Sequence, residues 1–93
     1  MLDEAEAMEE VEKDMTNAFS KINDEKSKNV KGNYSIQDYA IAFIYGMGNV
    51  QRERFKKMLQ QGIKCGESVA LNYGVDYNDL INEVKRILEV EEK

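Results

Sequence analysis

From Asp3 to Ile22 the apolar residues Met8, Val11, Met15, Ala18 and Ile22 recur every three or four positions. That spacing lays one stripe along a helix, and Phe19 widens it. Acids fill the first turns, where the helix dipole favours them. Glu9 also stands four residues before Lys13, a stabilising arrangement on a helix surface. The pattern predicts an acidic amphipathic helix over 1–23. After Ile22 the apolar period stops. Residues 24–33 are polar and lysine-rich, and Gly32-Asn33 punctuates their end, which predicts a linker.

The pattern resumes at Ser35, where Asp38 three residues on completes a capping-box signature. Ile36, Tyr39, Ala40, Phe43, Ile44 and Met47 form a face broad enough for a central core helix, which Gly46 and Gly48 end. Asn49 then caps a helix from Val50 to about Gln61, with Phe55, Met58 and Leu59 on its inner side and Gly62 at its stop. Between 62 and 75 two readings stand: a loop, or a short helix through Val69, Ala70 and Leu71 that Gly66-Glu67-Ser68 opens and Gly74 closes. Asp76, with Asp79 three residues on, caps a last helix whose stripe is Tyr77, Leu80, Ile81, Val84, Ile87 and Leu88. No segment alternates strictly over four or more residues. The expected fold class is all-α: an amphipathic N-terminal helix, a linker over 24–33, and a small three- to four-helix bundle over 34–93.

Composition narrows the function. The chain has 93 residues, 42% hydrophobic and 33% charged, enough for one domain with one modest core. It has no histidine, so the usual general base and the commonest metal ligand are missing. The single cysteine, Cys65, is expected to be a buried or bystander thiol. The carboxylates of 3–14 lack the glycine-turn spacing of a metal loop. Gly46-Met47-Gly48 has neither the strand nor the lysine of a phosphate loop. These features predict no catalytic residue, no metal and no cofactor.

Net charge is −5, of which residues 1–33 carry −4 and residues 34–93 carry −1. A nearly neutral body lacks the basic excess of a general nucleic-acid binder. The N-terminus is acidic, unlike a secretory signal, and the longest apolar run, Tyr39 to Gly48, is half a membrane span. The expectation is a soluble, cytoplasmic protein with no membrane partner.

Two uses compete for the N-terminal stripe. It packs on its own domain, or it forms a self-association seam or partner-docking face through Met8, Val11, Met15, Phe19 and Ile22. Tyr39 and Tyr77 fit core stripes, whereas Tyr34, Tyr45 and Tyr73 are placed to line an edge, where an aromatic meets a sugar or a protein.

Within the body, Ala40, Phe43, Ile44 and Gly46 are followed by Met47-Gly48-Asn49-Val50, Arg52, Arg54, Gly74-Val75-Asp76-Tyr77, and Leu80, Ile81 and Val84. This order resembles the small three-helix cell-wall-binding repeat of phage and bacterial peptidoglycan hydrolases. That repeat runs Ala-x-x-Val-Ile-x-Gly, an aromatic-Gly-Asn-Gly turn, an arginine-bearing helix, then Gly-Tyr-Asp-Tyr and a last helix. The resemblance spans 35–88 and departs from the repeat at the turn, which lacks the aromatic and the final glycine. It departs again at about a dozen extra residues near 60–72. What it implies is a three-helix body that binds peptidoglycan glycan through Asn49, Arg52, Arg54, Asp76 and Tyr77.

Ser68 to Asp76 also has helix-turn-helix spacing. Ala70 lies four residues before Gly74, Val75 follows that glycine, and Leu80 lies six beyond it. The would-be recognition helix presents Asp76, Asn78, Asp79 and Glu83, with Lys85 and Arg86 only at its far end. Phosphate contacts dominate DNA affinity, so this face opposes it. Basic residues gather instead at Arg52, Arg54, Lys56, Lys57 and Lys64. Together these readings predict a non-enzymatic helical binding module, a protein-interaction or accessory factor of the phage or mobile-element kind. Peptidoglycan binding and helix-turn-helix DNA binding stand as alternatives.

Overall fold

A computed structural model describes residues 3–28 and 34–90. Among these residues five helices follow in order: α1 Glu4–Lys28, α2 Ile36–Gly46, α3 Asn49–Gln60, α4 Glu67–Asn72 and α5 Tyr77–Leu88. No strand occurs among the described residues. The fold is the expected all-α bundle.

The first helix runs five residues past the expected end at 23 and takes in 24–28 of the expected linker. Its apolar stripe ends at Ile22, but Asp24, Glu25 and Lys28 are helix-compatible, and neither glycine nor proline interrupts the run. The rest of that linker, 29–33, lies outside the described residues. Asp3 starts the helix by accepting the Glu6 N–H at 2.8 Å. Its 25 residues measure about 37 Å at the standard rise and set the 42 Å long axis of the molecule.

α2 lies between α1 and α5, as a helix with apolar side chains on most of its circumference should. The expected capping box is present: the Asp38 N–H donates to Ser35 Oγ, and the Ser35 N–H donates to Asp38 Oδ2 at 2.8 Å. The cap of α3 falls on Gly48, one residue before the expected Asn49, and no side chain accepts its first N–H groups. Asp76 caps α5 by accepting the Asp79 N–H at 3.0 Å.

One core joins all five helices. Phe19 stands at its centre, edge-on to Tyr39 at 5.0 Å and to Tyr73 at 5.7 Å, so one α1 ring ties α2 to the end of α4. Phe43 meets Phe55 in the same manner at 5.1 Å and binds α2 to α3. Gly66 is required at its position for two reasons. Its φ is +89°, and a Cβ there would strike Met15, with Cε the nearer atom and Sδ at 2.8 Å.

Candidate functional site

The N-terminal stripe does not form a free surface. Val11, Met15 and Phe19 are fully buried, Ile22 nearly so, and Met8 packs partly buried at the edge of the same core. The candidate partner-binding set is therefore covered by the chain's own α2, α3 and α4. The acids beside it are structural as well. Glu10 pairs with Arg54 of α3 at 3.4 Å, and Glu12 accepts the Gly66 N–H at 3.1 Å where α4 begins. These contacts correct the expectation of an N-terminal helix set apart by a linker from a bundle over 34–93. The first helix belongs to the bundle because its apolar face and two of its carboxylates are both used there.

The tyrosines divide differently from expectation. Tyr39 is buried, and Tyr77 is half-buried with its hydroxyl donating to the Cys65 carbonyl at 2.9 Å. Burial pushes the Tyr77 phenol up to about 12, so it stays a donor at neutral pH. Tyr73 and Tyr34, expected at an edge, are engaged: Tyr73 shares a 2.6 Å hydrogen bond with Ser20, and Tyr34 donates to Glu25 at 2.7 Å. Of the three edge candidates only Tyr45 is mostly exposed, at 77%. The missed partners lie across helices, and helical spacing carries no signal for them.

The five residues implied by the cell-wall-repeat resemblance are distributed over three places. Asn49 and Arg52 share a groove of about 170 Å³ with Glu53, Lys56 and Leu88. The Arg52 Nε is shielded from solvent and has no hydrogen-bond partner among the described residues. Arg54 points elsewhere, toward Glu10 and Gln51. Asp76 and Tyr77 line a separate groove of about 390 Å³ between α4 and α5, with Glu67, Ser68, Leu71 and Val75.

That second groove lies on the helix-turn-helix segment, whose spacing the fold realises. Ala70, Val75 and Leu80 are buried, and Gly74 makes the turn with φ +68°. The Gly74 N–H donates to the Leu71 carbonyl and the Val75 N–H to the Ala70 carbonyl, which closes α4. The exposed side of the pair carries Glu67, Asp76 and Asp79.

Cys65 is fully buried, and its thiol donates weakly to the Met8 carbonyl at 3.5 Å. Burial, and then the nearby Glu12 carboxylate, push this thiol up to about 12. It is held protonated and out of reach, which is the opposite of an activated nucleophile. Among the described residues no group of three or more Cys, Asp or Glu is placed to hold a metal ion. No described helix is long and apolar enough to cross a membrane.

Among the described residues four large apolar side chains remain exposed: Ile41, Tyr45, Val50 and Leu71. Ile41 and Tyr45 are one turn apart on α2, in an outer row that Gln37 begins and the exposed Asp38 borders. The chain matches no protein-family model, no curated protein and no solved structure.

Proposed function

We propose that this protein is a non-enzymatic protein-interaction module that associates through the outer row of α2. The observation that carries this reading is the character of α2 itself. Its inner side is the centre of the core, yet its outer side still presents Ile41 and Tyr45, the latter 77% exposed. A helix apolar nearly all round is one that is covered on all sides in its working state.

The occupant that fits is a second copy of the chain. At net −5 two copies repel, and the outer sides of α1 and of the α4–α5 pair carry acids. The Gln37–Ile41–Tyr45 row carries no charge of its own, and the acids near it, Asp38 on α2 and Asp79 and Glu83 beside Gln37, stand at its Gln37 end, which an antiparallel pairing sets apart from its copy. In an antiparallel twofold pairing Ile41 meets Ile41, and each Tyr45 lies against the other chain's Gln37. Sedimentation across a wide concentration range should show a reversible dimer. Tyr45→Glu should weaken it by about tenfold or more while the helical spectrum and melting temperature stay unchanged. A wild-type chain that stays monomeric throughout, or a Tyr45→Glu dimer as tight as wild type, overturns the reading.

Saccharide binding is the second reading, and one feature favours it. Asn49 and Arg52 share one groove, and the shielded Arg52 Nε, without an acceptor, is unfavourable by about 1–3 kcal/mol unless the side chain turns out toward an acceptor in that groove. If that acceptor is a cell-wall glycan, the full chain should co-sediment with bacterial sacculi, and Arg52→Ala should lose most of the pelleted fraction. Equal pelleting of the two proteins, or none by either, counts against it.

A further inference from the structure

The α4–α5 groove combines three features. Leu71 on its rim is 79% exposed, the most exposed large apolar side chain among the described residues. The groove is apolar at Val75, which is buried, and beside the half-buried ring of Tyr77, whose hydroxyl is tied to the Cys65 carbonyl. The charged residues that line it are Glu67 and Asp76, and no lining residue is basic. A volume of about 390 Å³ is at the small end for ligand sites and suits a single large side chain.

The negative field continues along α5. Asp79, Asn82 and Glu83 face a neighbouring groove of about 360 Å³ against Ser35, Ile36 and Gln37. Two of the nearby cations, Lys64 and Arg86, do little to offset it. Lys64 reaches Glu67 only at 4.0 Å between exposed side chains, a contact that solvent weakens and a ligand displaces. Arg86 is taken by Glu83 at 2.7 Å. The helix-turn-helix shape thus presents its exposed helix with the wrong sign for a phosphate backbone and the right sign for a cationic polypeptide.

We propose that this groove docks a cationic segment of a partner protein, with one leucine- or phenylalanine-sized side chain seated on Leu71, Val75 and the Tyr77 ring, and flanking lysine or arginine residues against Glu67 and Asp76. The inference rests on the reading of the chain as a protein-binding module, but it uses a surface other than the α2 row. The apolar anchor supplies affinity by leaving water, and the acidic rim selects sign and orientation.

The test uses the full chain and a synthetic peptide carrying one phenylalanine between lysines and arginines. Two control peptides replace the cations by glutamate or the phenylalanine by alanine. Amide shifts should move at Glu67, Leu71, Val75 and Tyr77 with the cationic phenylalanine peptide and with neither control. Leu71→Ser, at an exposed position that leaves the fold intact, should weaken binding by about tenfold. Glu67→Lys should weaken it by about threefold or more at low salt, with the difference shrinking as salt rises. Absence of shifts overturns the proposal. So do shifts spread over the acidic side of α1 that Leu71→Ser leaves unchanged, which mark unspecific attraction. Shifts confined to Ile41 and Tyr45 overturn it, and the α2 reading is tested separately by the sedimentation of the chain without peptide, so the two fail separately.

Discussion

Residues 34–93 expressed alone should not fold cooperatively. α1 contributes Val11, Met15, Ala18, Phe19 and Ile22 to the core, each at most 6% exposed. Losing a buried large apolar side chain removes about 1.5–3 kcal/mol, and truncation also uncovers the α2 side chains against which α1 packs. The total is of order 10 kcal/mol, comparable with the whole stability of a small domain. The truncated chain should show weak helical circular dichroism and collapsed amide dispersion. Cys65 gives an independent readout. In the intact protein the thiol is buried and pushed up to about 12, so an aromatic disulfide reagent at mildly alkaline pH should react slowly. In the fragment it should react at the rate of an unfolded thiol. A fragment that melts cooperatively with a protected thiol would show that α1 is peripheral after all.

Met15→Asp should unfold the full chain, whereas Met8→Asp should lower the melting temperature only slightly. Met15 has no exposed surface and fills the space left by the missing Cβ of Gly66. No polar or charged residue is buried among the described residues, so a carboxylate there meets no cation. An uncompensated buried charge destabilises by several kcal/mol, about 3–5 when a buried pair is broken and comparable here. At about 4–8 °C per kcal/mol for a domain of this size, that removes the transition or lowers it by about 20 °C or more. Met8 lies at the edge of the core, where an aspartate reaches water. Thermal circular dichroism of the two variants checks this. A Met15→Asp protein that melts like wild type but loses a complex would restore the stripe as a partner surface.

The pair of variants bears on how far a stripe can be read. Spacing at Met8, Val11, Met15 and Ile22 is sufficient to predict a helix with one apolar side, and the helix is there. The same spacing is compatible with an intramolecular core and with an interface, because burial of that side lowers free energy equally in either. Phe19 decided between them through rings at Tyr39 and Tyr73, both far along the chain. Tyr73 shows the converse error. It falls outside the core stripes, which suggests an edge, but its hydroxyl meets Ser20, 53 residues away. The implied glycan residues scatter for the same reason, since Arg54 is drawn to Glu10 of a helix outside the repeat-like segment.

What the sequence determined by itself is local. The Ser35–Asp38 box, the Asp76 cap, the Gly74 turn with Ala70, Val75 and Leu80 inside it, and the all-α class each depend on groups within a few residues of one another. Only the tertiary structure decided that the acidic first helix is part of the core, that Gly66 yields its space to Met15, and that Ile41, Tyr45 and Leu71 are left facing water. Caps and turns close hydrogen bonds over three to five residues, so their partners are written next to them. Which face meets which depends on side chains dozens of residues apart, and that pairing exists only once the chain has packed.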